Sequence, residues 1–484
     1  LSTIKRFFKD TIIYGIAAVL PRAINILLVK LHTSTLQSDK YAENTLYFVY
    51  AAYINALLTY GMETAFFRFF TKEKNKGKVI STSFISLLFT TFLFLIFALY
   101  YSESLSNFFG FENPIYFQIL VLVTSFDTLM VLPFSYLRVM NRPIKFTFYK
   151  VLNIFIYAIL NIYFLVYIPH AIKNEGFIPN FLVEYYTNYP LVIFIFIANL
   201  VASLVTFIFL LPTFFKFKFN FDKQLLIKML KYGLPLMVGS LAFITNENID
   251  KLLIGNLIGK EQMGIYAACY KIGVFMTLYI MAFRLGAEPY FFNQANKVNS
   301  KETYAKILTW FTIIGSFFML FIIVFIDVFA NILLGKEEYF QALSIVPIIL
   351  LANLFLGISY NLSVWYKLTD KTKFGMILSV IAAIITILIN IIFIPKIGYM
   401  ASAWATLLAY SFVVISSYLI GKKYYAVPYP VKKILFYIFI SVLFSGLSFL
   451  YFRENYFISI LMIITFLSYT YFQEKKEIQK IIKK

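Results

Sequence analysis

Residues Phe374–Ile394 read FGMILSVIAAIITILINIIFI, a run of 21 positions without one ionisable side chain. A helix rises about 1.5 Å per residue, so this run spans about 30 Å, the thickness of a bilayer's hydrocarbon core. Lys371 and Lys373 precede the run, and Pro395 and Lys396 follow it. Runs of the same kind return every 25 to 40 residues along the chain. Of the 484 residues, 61% are hydrophobic and 14% are charged, against roughly 45–50% and 25% for a soluble domain. The chain therefore reads as an all-α, polytopic membrane protein.

Fourteen spans are expected. They are Thr11–Leu31, Thr45–Phe70, Val79–Tyr101, Pro114–Leu137, Phe146–Ile168, Pro190–Pro212 and Leu230–Gly255, then Gly264–Phe291, Ile307–Leu334, Ala342–Tyr366, Phe374–Ile394, Gly398–Ile420, Ile434–Tyr451 and Tyr456–Phe472. The first is too long for a signal peptide and has no clear small-residue cleavage site, so it reads as a retained helix. The chain starts at Leu1, and a few residues are expected to precede it. Basic residues set the orientation, because they concentrate in cytoplasmic connections. Thirty of the 43 Lys and Arg share a side with the N-terminus, and six lie on the other side. Both termini are expected in the cytoplasm, in a bacterial inner membrane. The net charge of +20 then follows from topology and anionic inner-leaflet lipid, without nucleic acid.

Other classes lose support from what the chain contains. A lone Cys269 gives no disulfide framework, and His32 and His170 stand far apart. HExxH, P-loop, GxGxxG and GxSxG patterns are absent, so neither a metal nor a cofactor is expected. The longest outer connection, Pro169–Tyr189, is too short for a catalytic ectodomain. Phe, Tyr, Ile, Lys and Asn are all abundant, so the 20% aromatic content reflects compositional bias as much as any binding role.

A weak internal repeat organises the spans. Tyr14-Gly15 opens the first and Tyr232-Gly233 the seventh. The loop from Arg138 to Phe146 follows span four, and the similar loop from Lys367 to Phe374 follows span ten. Six spans separate each pair, so the halves share one orientation, as in some transporters. The expected domains are a six-helix bundle over 1–212, a cytoplasmic linker over 213–229, a second bundle over 230–421, and two extra helices with a basic tail over 422–484. Pro21, Pro133, Pro235 and Pro347 interrupt spans one, four, seven and ten, where kinks serve bending.

Particular motifs resemble a family. Span two ends in Tyr60-Gly-Met-Glu63-Thr-Ala-Phe-Phe-Arg68-Phe, and span seven carries Tyr232-Gly-Leu-Pro235-Leu and Asp250-Lys251-Leu-Leu-Ile254-Gly255. Gly264-Ile-Tyr266-Ala-Ala-Cys-Tyr270-Lys271-Ile follows. Over essentially its whole length the chain resembles the polysaccharide transporter family, which includes the Wzx-type O-antigen flippases. These belong to the superfamily of multidrug and toxin extruders and lipid II flippases. The resemblance implies a MATE-like, V-shaped pair of six-helix bundles around a central cavity. It implies movement of a polyprenyl-diphosphate-linked oligosaccharide from the inner to the outer leaflet, for polysaccharide or lipopolysaccharide synthesis. Partners would be that lipid, the membrane, and the pathway's polymerase and glycosyltransferases.

Ionisable residues inside spans are functional candidates by default. Lys30, Arg68 and Lys150 lie within a turn or two of span ends and can snorkel, and Asp327 is also toward an end. Glu247 with Lys251, and Arg284 with Glu288, have the four-residue spacing of intrahelical pairs. Asp250 has a base on a neighbouring helix as its expected partner. Arg22 stands eleven residues into a 21-residue span with no acid three or four positions away. It needs a partner helix, water or an anionic substrate, and Asp127, equally central in span four, is its structural partner candidate. Lys271 also lacks a helical acid. A diphosphate crossing low dielectric needs such cations, and guanidinium suits its oxygens. The expected substrate-binding set is Arg22, Lys271 and Arg284 facing a cavity, with Lys251 as a fourth. Asp127, Glu63, Glu247 and Asp250 are the candidate coupling or structural acids. Three other functions compete: an ion-coupled drug or cation exporter of the same fold, a membrane glycosyltransferase or ligase, and a non-transporting scaffold.

Overall fold

A computed structural model describes residues 3–174, 176–214, 220–294, 299–369 and 371–482. Apart from turns and short connections, these residues are helical, with no strand among them. The chain forms two compact units, Leu1–Ala267 and Ala268–Lys484.

In the first unit the helices are α1 (Thr3–Thr35), α2 (Ser38–Thr59), α3 (Met62–Lys72), α4 (Lys76–Tyr100), α5 (Ser102–Phe108), α6 (Pro114–Val139) and α7 (Pro143–Ile162). A π-helical turn, Tyr163–Tyr167, joins α7 to α8 (Ile168–Lys173). Then come α9 (Asn180–Asn188), α10 (Val192–Phe214), α11 (Lys223–Ile258) and the start of α12 (Lys260–Gln294). In the second unit α12 continues, followed by α13 (Ser300–Val324), α14 (Ile326–Leu333) and a 3-10 segment, Glu337–Ile345. Next are α15 (Val346–Leu362), α16 (Val364–Leu368), α17 (Lys373–Ile397), α18 (Met400–Tyr424), α19 (Val431–Tyr451) and α20 (Tyr456–Ile482).

Local signals place the ends. Asn75 accepts the Lys78 amide at the start of α4, and Asn113 accepts the Ile115 amide ahead of α6. Asp222 accepts the Leu225 amide at the start of α11. Each supplies an acceptor to an otherwise orphaned N–H. Within the spans, hydroxyls bond back to carbonyls four residues earlier, as Thr33 does to Val29, Ser83 to Val79 and Thr386 to Ala382. This satisfies the polar group without water.

Thirteen described helical segments are long and apolar enough to cross a membrane. The charge-free run lies in α17, where Ile377, Ile381, Ile384, Leu388 and Ile391 form an exposed stripe at helical spacing. Such a stripe is tolerable against lipid and not against water. The expected second span is the exception. The helix that holds its first half, α2, begins seven residues earlier and carries Asp39, Lys40, Glu43, Asn44 and Asn55, and it falls short of the other thirteen. The expected continuous helix Thr45–Phe70 is also broken. Tyr60 and Gly61 both adopt left-handed backbone, with φ of 35° and 73°, which ends α2 and starts the amphipathic α3.

The break is held by a close backbone approach. A Cβ on Gly61 would lie 2.2 Å from the carbonyl oxygen of Gly233 on α11. The Tyr60 hydroxyl bonds Ser86 of α4 at 2.7 Å, and the Arg68 guanidinium stands 4.1 Å over the Tyr232 ring. Below it, Lys78 pairs with Asp222 at 2.8 Å, and the Asp222 amide donates to Thr82 at 3.1 Å. The Lys78 hydrogen bond, then the Leu225 amide, hold the Asp222 carboxyl below its ordinary pKa.

Candidate functional site

Three polar side chains in the middle of α10, a helix whose other residues are apolar except Thr213, fall at i, i+4 and i+7: Asn199, Ser203 and Thr206. That spacing puts them on one face. Asn199 accepts from the Tyr47 hydroxyl of α2 at 3.3 Å, and Ser203 donates to Asp127 of α6 at 2.9 Å. Thr206 accepts from Asn153 of α7 at 3.1 Å. The interior of the first unit thus has a hydrogen-bonded polar row with Asp127 as its acid. Nearer the Lys78 end, Lys150 stands 4.3 Å over the Phe134 ring. Glu63 accepts from Arg138 at 2.9 Å in an exposed pair.

Arg22 does not join this row. Its side chain is exposed on α1, directly after Pro21, and no ion pair links it to Asp127 among the described residues. A cation that projects from mid-helix is available to an anion.

Lys251 is placed differently. It is buried, and its ammonium lies 2.9 Å from Asp250 Oδ1 and 2.6 Å from the Glu247 carbonyl. The Tyr266 hydroxyl donates to the other Asp250 oxygen at 2.6 Å. The expected neighbouring-helix base for Asp250 is instead Lys251, its own successor. Adjacent residues can pair because the carboxylate folds back onto the backbone, also accepting the Lys251 amide at 2.8 Å. Asp250, Lys251 and Tyr266 therefore form an internal knot whose charges compensate each other.

At the opposite end of this unit from Lys78 lies a network the sequence reading missed. Lys260 pairs with the fully buried Glu43 and lies 3.6 Å from Glu112, which also accepts from Lys40 at 2.5 Å. Glu43 stands eight residues past the end of α1 and two before the expected second span, outside every expected span. Nothing local joins it to a lysine 217 positions away.

In the second unit, Lys271 is exposed on α12. Arg284, thirteen residues further along the same continuous helix, is half-buried with its guanidinium 4.1 Å over the Tyr360 ring of α15. The side chain of Glu288, its expected helical partner, lies outside the described residues. Close packing brings α12 and α15 together. A Cβ on Gly273 would meet Ile349 at 2.5 Å, and Asn353 donates to the Gly273 carbonyl at 3.0 Å. A groove of about 500 Å³ borders this region, with Tyr279, Phe283, Trp310 and Phe311 on its walls and the Lys306–Glu477 pair at its edge. Asp327, toward the end of its span, is gripped by Arg453 through contacts of 2.6 to 3.1 Å.

Long apolar helices with a few isolated or paired charges define a polytopic membrane protein, and the comparisons give its family. The family model described as polysaccharide biosynthesis protein matches residues 36–283, and a MatE model matches 235–392. The chain belongs to this polysaccharide biosynthesis family. Among solved structures, the lipid II flippase MurJ in an inward closed conformation is similar at a TM-score of 0.72 and 18% identity, over 96% of this chain and 100% of that one. An inward-facing multidrug MATE transporter gives 0.67 and 14%, over 85% and 97%. A transporter of the same superfamily from Pyrococcus furiosus, whose binding pocket is described as reversed in polarity, gives 0.61 and 14%, over 87% and 95%. No curated protein matches the chain.

Proposed function

We propose that this protein is a flippase that moves a polyprenyl-diphosphate-linked oligosaccharide from the inner to the outer leaflet of a bacterial inner membrane, with no catalytic chemistry of its own. The observation that carries the reading is Arg22: an exposed guanidinium at mid-span in a member of the polysaccharide family. An uncompensated charge at that depth costs at least about 2.5–3.5 kcal/mol. An anionic headgroup offsets that cost in a way an organic cation does not. In the second unit, Lys271 and Arg284 lie about 20 Å apart along α12 and offer a travelling diphosphate two further cationic positions. Arg284 is the weaker of the two, because Tyr360 already covers its face. Lys251 contributes least, being neutralised by Asp250. The spans of 1–212 and 230–421 form the two bundles of this reading, both termini are cytoplasmic, and the polymerase and glycosyltransferases of the pathway supply and consume the lipid.

The MatE match and the half-buried acid of the polar row in the first unit favour a second reading, an ion-coupled cation exporter with Asp127 as its coupling acid. Ligand-dependent thermal stabilisation of the purified protein separates the two. A polyprenyl-diphosphate oligosaccharide raises the melting temperature under the flippase reading, and ethidium does not. The reverse pattern supports the exporter.

A further inference from the structure

Three chain segments meet at the end of the first unit that carries Lys260. The first turns of α2 contribute Ser38, Asp39, Lys40 and Glu43, and the connection ahead of α6 contributes Glu112. The α11–α12 turn contributes Gly259, Lys260 and Gly264. Gly259 has φ of +105°, a conformation that favours glycine. Gly264 rests on the backbone of Ser38, where an added Cβ would lie 1.8 Å from the Ser38 carbonyl oxygen. Lys260 bridges Glu43 and Glu112, while Lys40 spans Glu112 and Asp39, the latter at 3.4 Å. One Glu43 oxygen takes Lys260, and the other is buried without a hydrogen bond among the described residues.

We propose that this cluster is a latch that holds the α11–α12 turn against α2, closes this end of the transport route, and opens once per cycle. The proposal rests on the transporter reading for its role in a cycle, but the latch itself does not depend on what is carried. A fully buried carboxylate is tolerated only while its lysine is in place. Removing either charge strands the other, so the contact has two discrete states rather than a graded range. The Gly264–Ser38 approach adds close packing that exists only in the shut state. Proton uptake by Glu43 is the natural release. Burial pushes its carboxyl up against the pull of Lys260, so the pair weakens as pH falls. The charged and titratable groups around Glu43 are Asp39 and Lys40 on its own helix, Glu112, Tyr116 on α6 and Lys260.

The test is the labelling rate of Ser38→Cys by a methanethiosulfonate reagent. It is made in nanodiscs on a Cys269→Ala background and normalised to the exposed Asn107→Cys. Ser38 is buried in the shut state, so labelling reports opening. Glu43→Gln and Lys260→Gln should each label about fivefold faster than the parent, and Lys260→Arg should label at the parental rate. Lowering the pH from 7.5 to 5.5 should speed the parent and leave Glu43→Gln unchanged. If Glu43→Gln does not fold, Glu112→Gln with its smaller acceleration takes its place. Equal rates in the parent and the charge-removing variants would overturn the latch. A latch that responds in a protein that moves no lipid-linked oligosaccharide would instead sink the flippase reading alone.

Discussion

Replacing Gly61 with alanine should destabilise this protein more than the same change at almost any other glycine. Two effects add there. The φ of 73° is left-handed, which costs a residue with a Cβ about 1–2 kcal/mol. The new Cβ would also stand 2.2 Å from the Gly233 carbonyl oxygen, and 2.8 and 2.9 Å from its C and Cα. All three are backbone atoms of another helix, so α3 or α11 must shift, at about 1–3 kcal/mol. The sum is about 2–5 kcal/mol. Gly110 is the internal control. Its φ is 76°, and nothing lies within 4 Å of an added Cβ, so only the backbone cost of about 1–2 kcal/mol applies. Fluorescence-detected thermal unfolding in detergent, on Gly61→Ala and Gly110→Ala side by side, reads the difference. Gly61→Ala should lower the midpoint about two- to threefold further, by the ratio of the two costs. Equal shifts would refute the idea that the α2–α3 break is held by its contact with α11.

Asp222→Asn should lower the thermal midpoint at neutral pH. Because the folded carboxyl is held below its ordinary pKa, its contribution is complete above about pH 4 and is lost as pH falls through the folded value. The gap between parent and variant should therefore close in acid, and a gap that persists at pH 3 would contradict the Lys78 pairing. A double-mutant cycle of Asp327→Ala and Arg453→Ala should give a coupling on the order of 1 kcal/mol. This is less than a buried pair would give, because Arg453 is about a third exposed; zero coupling would remove the pair from the fold's support. Reporter fusions after Lys78, Lys145, Lys231 and the C-terminal tail should all report cytoplasm, and an outer signal at any of them would overturn the orientation.

The spans were legible because membrane burial leaves a one-dimensional trace. A run such as Phe374–Ile394 needs no tertiary context to be read. The second span was misread for the same reason. Tyr60-Gly61 sits inside an apolar window, and nothing in hydropathy marks two consecutive left-handed residues. The charges divide likewise. Mid-span position and helical spacing mark Arg22 as a cation without an acid on its own helix, and its side chain is exposed. The choice of Lys251 by Asp250 depends on a carboxylate folding back onto its own backbone, which no spacing rule encodes. The bond of Asp127 to Ser203 and the pairing of Glu43 with Lys260 join positions 76 and 217 residues apart. Contacts at that range exist only once the helices pack.

The central claim is tested most directly by flipping itself. A fluorescent polyprenyl-diphosphate oligosaccharide is placed in proteoliposomes holding the wild-type protein, Arg22→Ala or Arg22→Lys, and its leaflet exchange is followed by quenching from outside. A charge-assisted hydrogen bond contributes about 1.5–3 kcal/mol, so Arg22→Ala should slow exchange about 10- to 100-fold. Arg22→Lys should recover part of the rate, keeping the charge without the planar fork. Wild-type protein that leaves the lipid in place, or Arg22→Ala that flips it at the wild-type rate, would contradict the account.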